Sequence, residues 1–417
     1  MLARFLAILA LALAPSAALA QSQLSWPQLP WQQLIGPQTF SAYLDLRAVA
    51  SDGEKSWLEQ GFGKTRYGGE GARFSVGEAA LAWNPYLTSD LDAVVEGEIQ
   101  PDHDHGVRLG EAFLRYKPLP IEGFHLSARA GLFYPPISQE HEGLFWTPAD
   151  TITPSAINSW VGEEVKVTGV EVSARKAFGE QELGATVGLF GFNDTAGTLL
   201  ATRGWALDDV TTNASGRYRL PPLADFLEYV QAGATNPVRS IDGRAGAYGR
   251  LDFKPIPRLS LDAVFYDNLG DLTSAKKQQW AWDTRFLNLG ATLAIDDNTR
   301  LMSQVMIGDT RMGRGDPWVN TEFSSAYLMA THWFGEDSLS GRIDLFRTRN
   351  RTDDEYGLTQ EHGWALTADY KKTLSAHLTG LVEVLHVSSD RPARTDILGE
   401  PAQQSQTVVQ AALRVKY

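Results

Sequence analysis

Over residues 404–417 apolar and polar positions alternate: Thr407, Val409, Ala411, Leu413, Val415 and Tyr417 share one face, and Val408, Gln410, Ala412, Arg414 and Lys416 share the other. A strand of this kind has one greasy face and one mostly wet face. The same period of two predicts further strands over 38–51, 73–84, 89–100, 107–117, 123–133, 166–178, 182–192, 242–254, 258–268, 283–295, 299–309, 322–334, 339–348, 362–371 and 377–388. With the terminal segment the count is about 16, and an even number lets both ends of the chain lie on one side of a membrane.

The strands are punctuated by short turn signals at Asn84-Pro85, Lys117 to Pro120, Gly179-Glu180, Lys254 to Pro257, Asp296 to Asn298, Gly335 to Asp337 and Lys371 to Ser375. Between successive signals lie two strands and a longer polar connection, an array of hairpins with short turns at one rim and long loops at the other. Trp83, Tyr116, Phe124, Phe178, Phe253, Trp333, Phe334, Tyr370 and Tyr417 gather at the short-turn rim, where an interfacial girdle of a bacterial outer-membrane barrel would sit. A soluble sandwich also alternates, but these strands are long for one, and no internal repeat suggests a propeller or solenoid. The fold class expected is all-β: a transmembrane antiparallel β-barrel over 38–417.

The N-terminus is consistent with export. Arg4 precedes the apolar run LAILALALA, and Ala18-Leu19-Ala20 precedes Gln21, the three-part pattern of a cleavable signal peptide over 1–20. The run is too short for a spanning helix. Residues 21–37 hold Pro27, Pro30 and Pro37 and read as a periplasmic lead-in, since prolines interrupt a ladder.

Composition narrows the class further. The chain has no cysteine, which excludes a disulfide scaffold and thiolate metal sites. Its net charge of −13 argues against a nucleic-acid partner.

Three segments carry a more specific likeness: EAFLRYKPLP (Glu111 to Pro120), ARAGLFYPPIS (Ala128 to Ser138) and TITPSAINSWVGEEVKVTGVEVS (Thr151 to Ser173). Their order, the glycine-aromatic-proline strand exit and the Thr-Gly-Val-Glu re-entry resemble the phosphate-selective porin family of Gram-negative outer membranes. The resemblance implies a barrel of about 16 strands, homotrimeric and embedded in outer-membrane lipid. It implies passive diffusion of small hydrophilic solutes or ions, with the third long loop folded into the lumen. The family's lumenal ladders of arginine and lysine are not reproduced. By parity, inward cations such as Arg47, Arg115, Arg129, Arg175, Arg244, Arg250, Arg258, Arg300, Arg342 and Arg414 are nearly matched by Asp45, Glu78, Asp92, Glu96, Glu98, Glu171, Asp262, Asp344, Asp369 and Glu383. A mixed lumen predicts weak selectivity. A substrate-selective porin for phosphate, other anions or sugars is the alternative.

The expected constriction sets Glu140, Glu142 and Asp150 of the third loop against Arg47, Arg115 and Arg129 of the wall, a transverse field across the narrowest point. The plainer alternative is a solvated loop above wall arginines that pair with their neighbours. Asp102 to His105 could ligate a divalent cation, but ligands from one short segment read more simply as an exposed loop tip, and no metal or cofactor is expected. In LADFLEYV, Leu223, Phe226, Leu227 and Val230 form one helical face within the long connection 193–241. No catalytic motif stands in a suitable context, so a barrel enzyme or an adhesin is the lesser reading.

Overall fold

The computed structural model describes residues 34–417 apart from 103–105, 144, 315 and 353–357. The expected signal peptide and most of the lead-in lie outside the described residues. Sixteen strands close into one barrel: β1 Phe40–Ser51, β2 Gly71–Trp83, β3 Leu91–Ile99, β4 Arg108–Tyr116, β5 Phe124–Phe133, β6 Val167–Phe178, β7 Gln181–Gly191 and β8 Gly246–Ile256, then β9 Leu259–Asp267, β10 Asp283–Asp296, β11 Thr299–Arg314, β12 Asp316–Phe334, β13 Asp337–Asn350, β14 Glu361–Ser375, β15 Leu378–Asp390 and β16 Gln403–Lys416. Each pairs antiparallel with the next. The last closes on the first, with Tyr43 opposite Lys416 and Ser51 opposite Val408, so the barrel sheet itself has no open edge strand.

The alternation sorts side chains as the sequence predicts. On β16, Val409, Leu413 and Val415 are exposed on the outer wall, whereas Val408, Gln410, Ala412 and Arg414 are buried inside. The outer wall continues through Leu46, Leu114, Leu189, Phe265, Ile307, Leu345 and Leu366, all exposed. This apolar belt is what a bilayer-spanning barrel requires. Among the described residues no helix is long and apolar enough to cross a membrane.

Two of the short turns are two residues long with a left-handed glycine, Gly179 at φ 66° and Gly335 at φ 71°, a conformation costly for other residues. Two expected turns move. β14 runs on through Lys371 to Ser375, with Lys371 opposite Leu381 and Thr373 opposite Thr379, so the turn is Ala376–His377. β8 similarly runs past Pro255, which sits at a register shift between Phe253 and Ile256, where its missing N–H breaks no ladder bond. Arg244 and Arg258, expected on inward strand faces, lie instead in connections and pair with Asp271 and Asp297.

The core lies inside the barrel. The third external loop, 134–166, descends into the lumen and carries helix α1, Ala156–Glu164, every residue of which is buried. The fourth, 192–245, follows it inward with α2, Thr198–Thr202. Trp160 of α1 packs edge-on against Phe286 of β10 at 5.4 Å between ring centroids and lies 5.3 Å from Phe323 of β12. Trp205 of the fourth loop joins them, 6.0 Å from Phe323. The helix expected within LADFLEYV is α3, Asp225–Val230. Its Leu227 packs on Trp280, Trp282, Met312 and Val319 at the loop end of the barrel.

Candidate functional site: the lumen beside the third loop

Position along each strand decides where the inward polar groups meet the loops. Arg300 is the second residue of β11 and so lies near the short-turn end. It ion-pairs with Asp150 and, at 3.5 Å, with Glu142 of the third loop. Lys371 of β14 donates to the Ala149 carbonyl at 2.9 Å, and Glu383 of β15 accepts the Ile152 and Thr153 amides at 2.8 and 2.9 Å. The loop therefore reaches deep into the barrel and is fixed there by charge-assisted hydrogen bonds. Glu140 ties off the base of α1, accepting from Ser155 and Asn158 and from Arg342 of β13 at 3.1 Å.

The expected pairing of loop carboxylates with Arg47, Arg115 and Arg129 is not the arrangement observed. Arg115 pairs with Asp92 at 3.1 Å, and Arg129 with Glu171 at 2.8 Å, each from a neighbouring strand. Arg47 is 3 % exposed and binds Asp45 and, from the inward-folded fourth loop, Asp209 at 2.5 Å. The loop carboxylates face Arg300 and Arg342 on the other side. Parity marks both arginines as inward, but period-two alternation cannot say against which wall a loop 150 to 202 positions away will lean.

Arg115 and Arg129 do share an open space. A cavity of about 660 Å³ lies between the third loop at Pro136 and Ser138 and the wall of β4 to β8, and its lining includes Arg115, Lys117, Arg129, Arg175, Arg250 and Glu171. Arg250 bridges to the loop by donating to the Pro136 carbonyl at 2.6 Å. Arg115, Arg129 and Arg250 are paired, whereas Lys117 and Arg175 make no ion pair with a described residue. The lumenal charge is therefore segregated, with surplus cations on this wall.

Elsewhere in the lumen the loops and the wall meet in buried polar contacts. Arg203 and Glu163 form a fully buried pair at 2.6 Å, Trp57 of the first loop donates to Asp208 at 2.9 Å, and Lys64 of that loop meets Glu361 of β14. Burial pushes Glu164 up to about 7 despite hydrogen bonds from Trp160 and Leu199, and lowers Lys64 to about 7 against the attraction of Glu361. Burial also pushes Asp209 upward, but Arg47 and Arg66 outweigh it and leave its carboxyl at about 2. A serine and a histidine meet in the third loop, Ser138 Oγ lying 2.7 Å from His141 Nδ1. Burial lowers that imidazole to about 3, too weak a base to activate a hydroxyl near neutral pH. Asp102, from the segment considered for metal binding, is held by Arg66 at 2.8 Å; residues 103–105 lie outside the described residues.

No protein-family model matches the chain, and no curated protein matches it in sequence. Solved structures do. An anion-selective porin from Comamonas acidovorans is 14% identical with a TM-score of 0.52, the alignment covering 91% of this chain and 99% of that one. The outer membrane channel DcaP of Acinetobacter baumannii is 11% identical, also with a TM-score of 0.52, over 91% and 96%. The chain thus has the fold of Gram-negative outer-membrane porins, a closed antiparallel barrel of 16 strands.

Proposed function

We propose that the protein is an outer-membrane channel for passive diffusion of small hydrophilic solutes, with a preference for anions. The two similar structures are by name a porin and an outer membrane channel, and bringing that class of function to this chain is our reading. The observation that carries the preference is the cavity beside β4 to β8, where Lys117 and Arg175 add unpaired positive charge opposite the third loop. Unlike the evenly mixed lumen expected from parity, a wall whose cations outnumber its carboxylates raises the local concentration of anions. The constriction is then formed by Arg115, Arg129, Lys117, Arg175 and Arg250 on the wall, facing the loop that Glu140, Glu142 and Asp150 fix in place. Arg47 anchors the fourth loop. A hydrolase is disfavoured by the weak basicity of His141.

A homotrimer is part of the proposal. Its support is a shallow hollow of about 550 Å³ on the outer wall, lined by Leu46, Ala48, Phe74, Val76, Ala411 and Leu413, with Phe74 93 % exposed.

The test is a planar bilayer with a potassium chloride gradient. The wild type is expected to give conductance steps and a reversal potential on the anion side, and Lys117→Glu with Arg175→Glu should move that potential toward cations. Since the Debye length falls from about 10 Å at 0.1 M to about 3 Å at 1 M, the difference should shrink in concentrated salt. Folded protein that shows no steps overturns the channel; an unmoved reversal potential overturns the assigned wall.

A further inference from the structure

Three carboxylates converge on the lumenal wall away from the cationic cavity. Glu78 of β2 and Glu96 and Glu98 of β3 are 7, 3 and 2 % exposed, and one carboxylate oxygen from each lies within 4.8 Å of the others. None makes an ion pair with a described residue. The two cations nearby are engaged elsewhere. Arg66 is held by Asp102 and Asp209 and donates to the Gly77 carbonyl. Lys166 donates to the Gly110 carbonyl at 2.8 Å, with its ammonium 4.3 Å from the Tyr134 ring centre.

A ligand is indicated by what these groups leave open. Oε1 of Glu78 and Oε1 of Glu98 are fully buried and have no hydrogen-bond partner, although a buried anionic oxygen left unmatched is costly. Gly110 opens the space beneath: a Cβ there would stand 2.7 Å from Glu96 Oε1 and 2.9 Å from Glu98 Oε2, so any side chain would push the two carboxylates out of convergence. Glu96 is oriented through its other oxygen, which accepts the Phe145 amide of the third loop at 3.3 Å.

We propose that Glu78, Glu96 and Glu98 form a calcium site that links β2 and β3. The donor set is all oxygen, as a hard divalent cation demands, and calcium accepts six to eight such ligands at about 2.3–2.6 Å. Oxygens sharing one ion at about 2.4 Å can be at most about twice that far apart, which the observed spacing satisfies. Magnesium, with about 2.0–2.1 Å bonds and an octahedral shell that it strips of water reluctantly, fits a buried three-carboxylate nest less well. Lys166 and Arg66 border the site and limit the charge that an ion must offset, and Phe145 couples its occupancy to the third loop.

The experiment uses the full mature chain refolded in detergent without lipopolysaccharide, stripped with EDTA and titrated with calcium chloride in a calorimeter, with magnesium chloride in parallel. Calcium should bind at one site per chain at least tenfold more tightly than magnesium, and should raise the temperature at which heat-modifiable gel migration is lost. Glu96→Gln with Glu98→Gln should weaken calcium binding at least tenfold and abolish the thermal shift, while Asp297→Asn in an exposed turn should leave both intact. If the double variant does not fold, Glu78→Gln serves, since the unpartnered Oε1 holds no loop amide. Uptake of no calcium by the wild type, as expected if the three carboxyls share protons instead, overturns the site, and so does equal uptake by a folded variant. Neither readout depends on conductance.

Discussion

At the scale of single residues, neighbours in sequence can face opposite solvents. Leu413 is exposed on the outer wall, and Arg414 beside it is buried, donating to Asp45 at 3.0 Å and to the third-loop carbonyls of Pro148 and Thr151. Leu413→Arg should therefore impair assembly, by about 2–4 kcal/mol if it stands near the bilayer midplane. Arg414→Leu should still give a heat-modifiable barrel but loosen the third loop around Pro148, read as modestly faster proteolysis there. Such parity was legible because alternation is local and the two faces meet different media. The partners of the inward charges were not. Asp209 of the fourth loop reaches Arg47 across 162 positions of sequence, a contact that no window of a few residues contains.

At the scale of elements, buried ionisable groups make the seating of the loops depend on pH. Glu164, at the end of α1, accepts from the Gly197 and Leu199 amides at the start of α2. Burial raises its folded pKa to about 7 from an ordinary 4.5. A carboxyl raised in this way contributes its stability fully below the unfolded value and loses it as pH rises through the folded value. The loop packing should thus weaken between about pH 4.5 and 7 as Glu164 ionises, and Glu164→Gln should flatten that part of the profile, measured as the temperature at which gel migration shifts. Equal slopes for the two proteins refute the assignment. Lys64 acts with the same logic in reverse: its pKa is lowered to about 7, so its contribution is lost as pH falls through that value. Sequence reading found α3 from its apolar stripe, but α1 and α2 escaped it. They are buried on every side and carry polar residues such as Asn158, Glu163 and Thr198, so neither shows the one-sided pattern that marks a surface helix.

For the whole molecule, the apolar core of the lumen is built by loops rather than by the wall alone. Replacing residues 193–241 by a short flexible turn should leave a closed barrel, since β7 and β8 pair through nine residues from Gly246 opposite Phe190 to Lys254 opposite Glu182. Single-channel conductance should then rise severalfold, with folding checked by heat-modifiable migration. An unchanged conductance would mean that the third loop alone sets the narrowest point. The number, order and facing of the strands followed from the sequence because a barrel repeats one simple rule. The distribution of lumenal charge did not, because it depends on which wall each loop occupies.

The seam between β1 and β16 carries a consequence for biogenesis. Ala42 and Tyr417 exchange backbone hydrogen bonds at 2.9 and 3.0 Å, joining segments about 375 positions apart, and this pairing alone turns an open curved sheet into a cylinder. Contacts of such long range form slowly because the intervening chain must first be ordered. Until the final strand arrives, fifteen of the sixteen strands can assemble only into a sheet with two adhesive margins. The interval before closure is thus the period of greatest aggregation risk, and the pairing of β16 with β1 is what ends it.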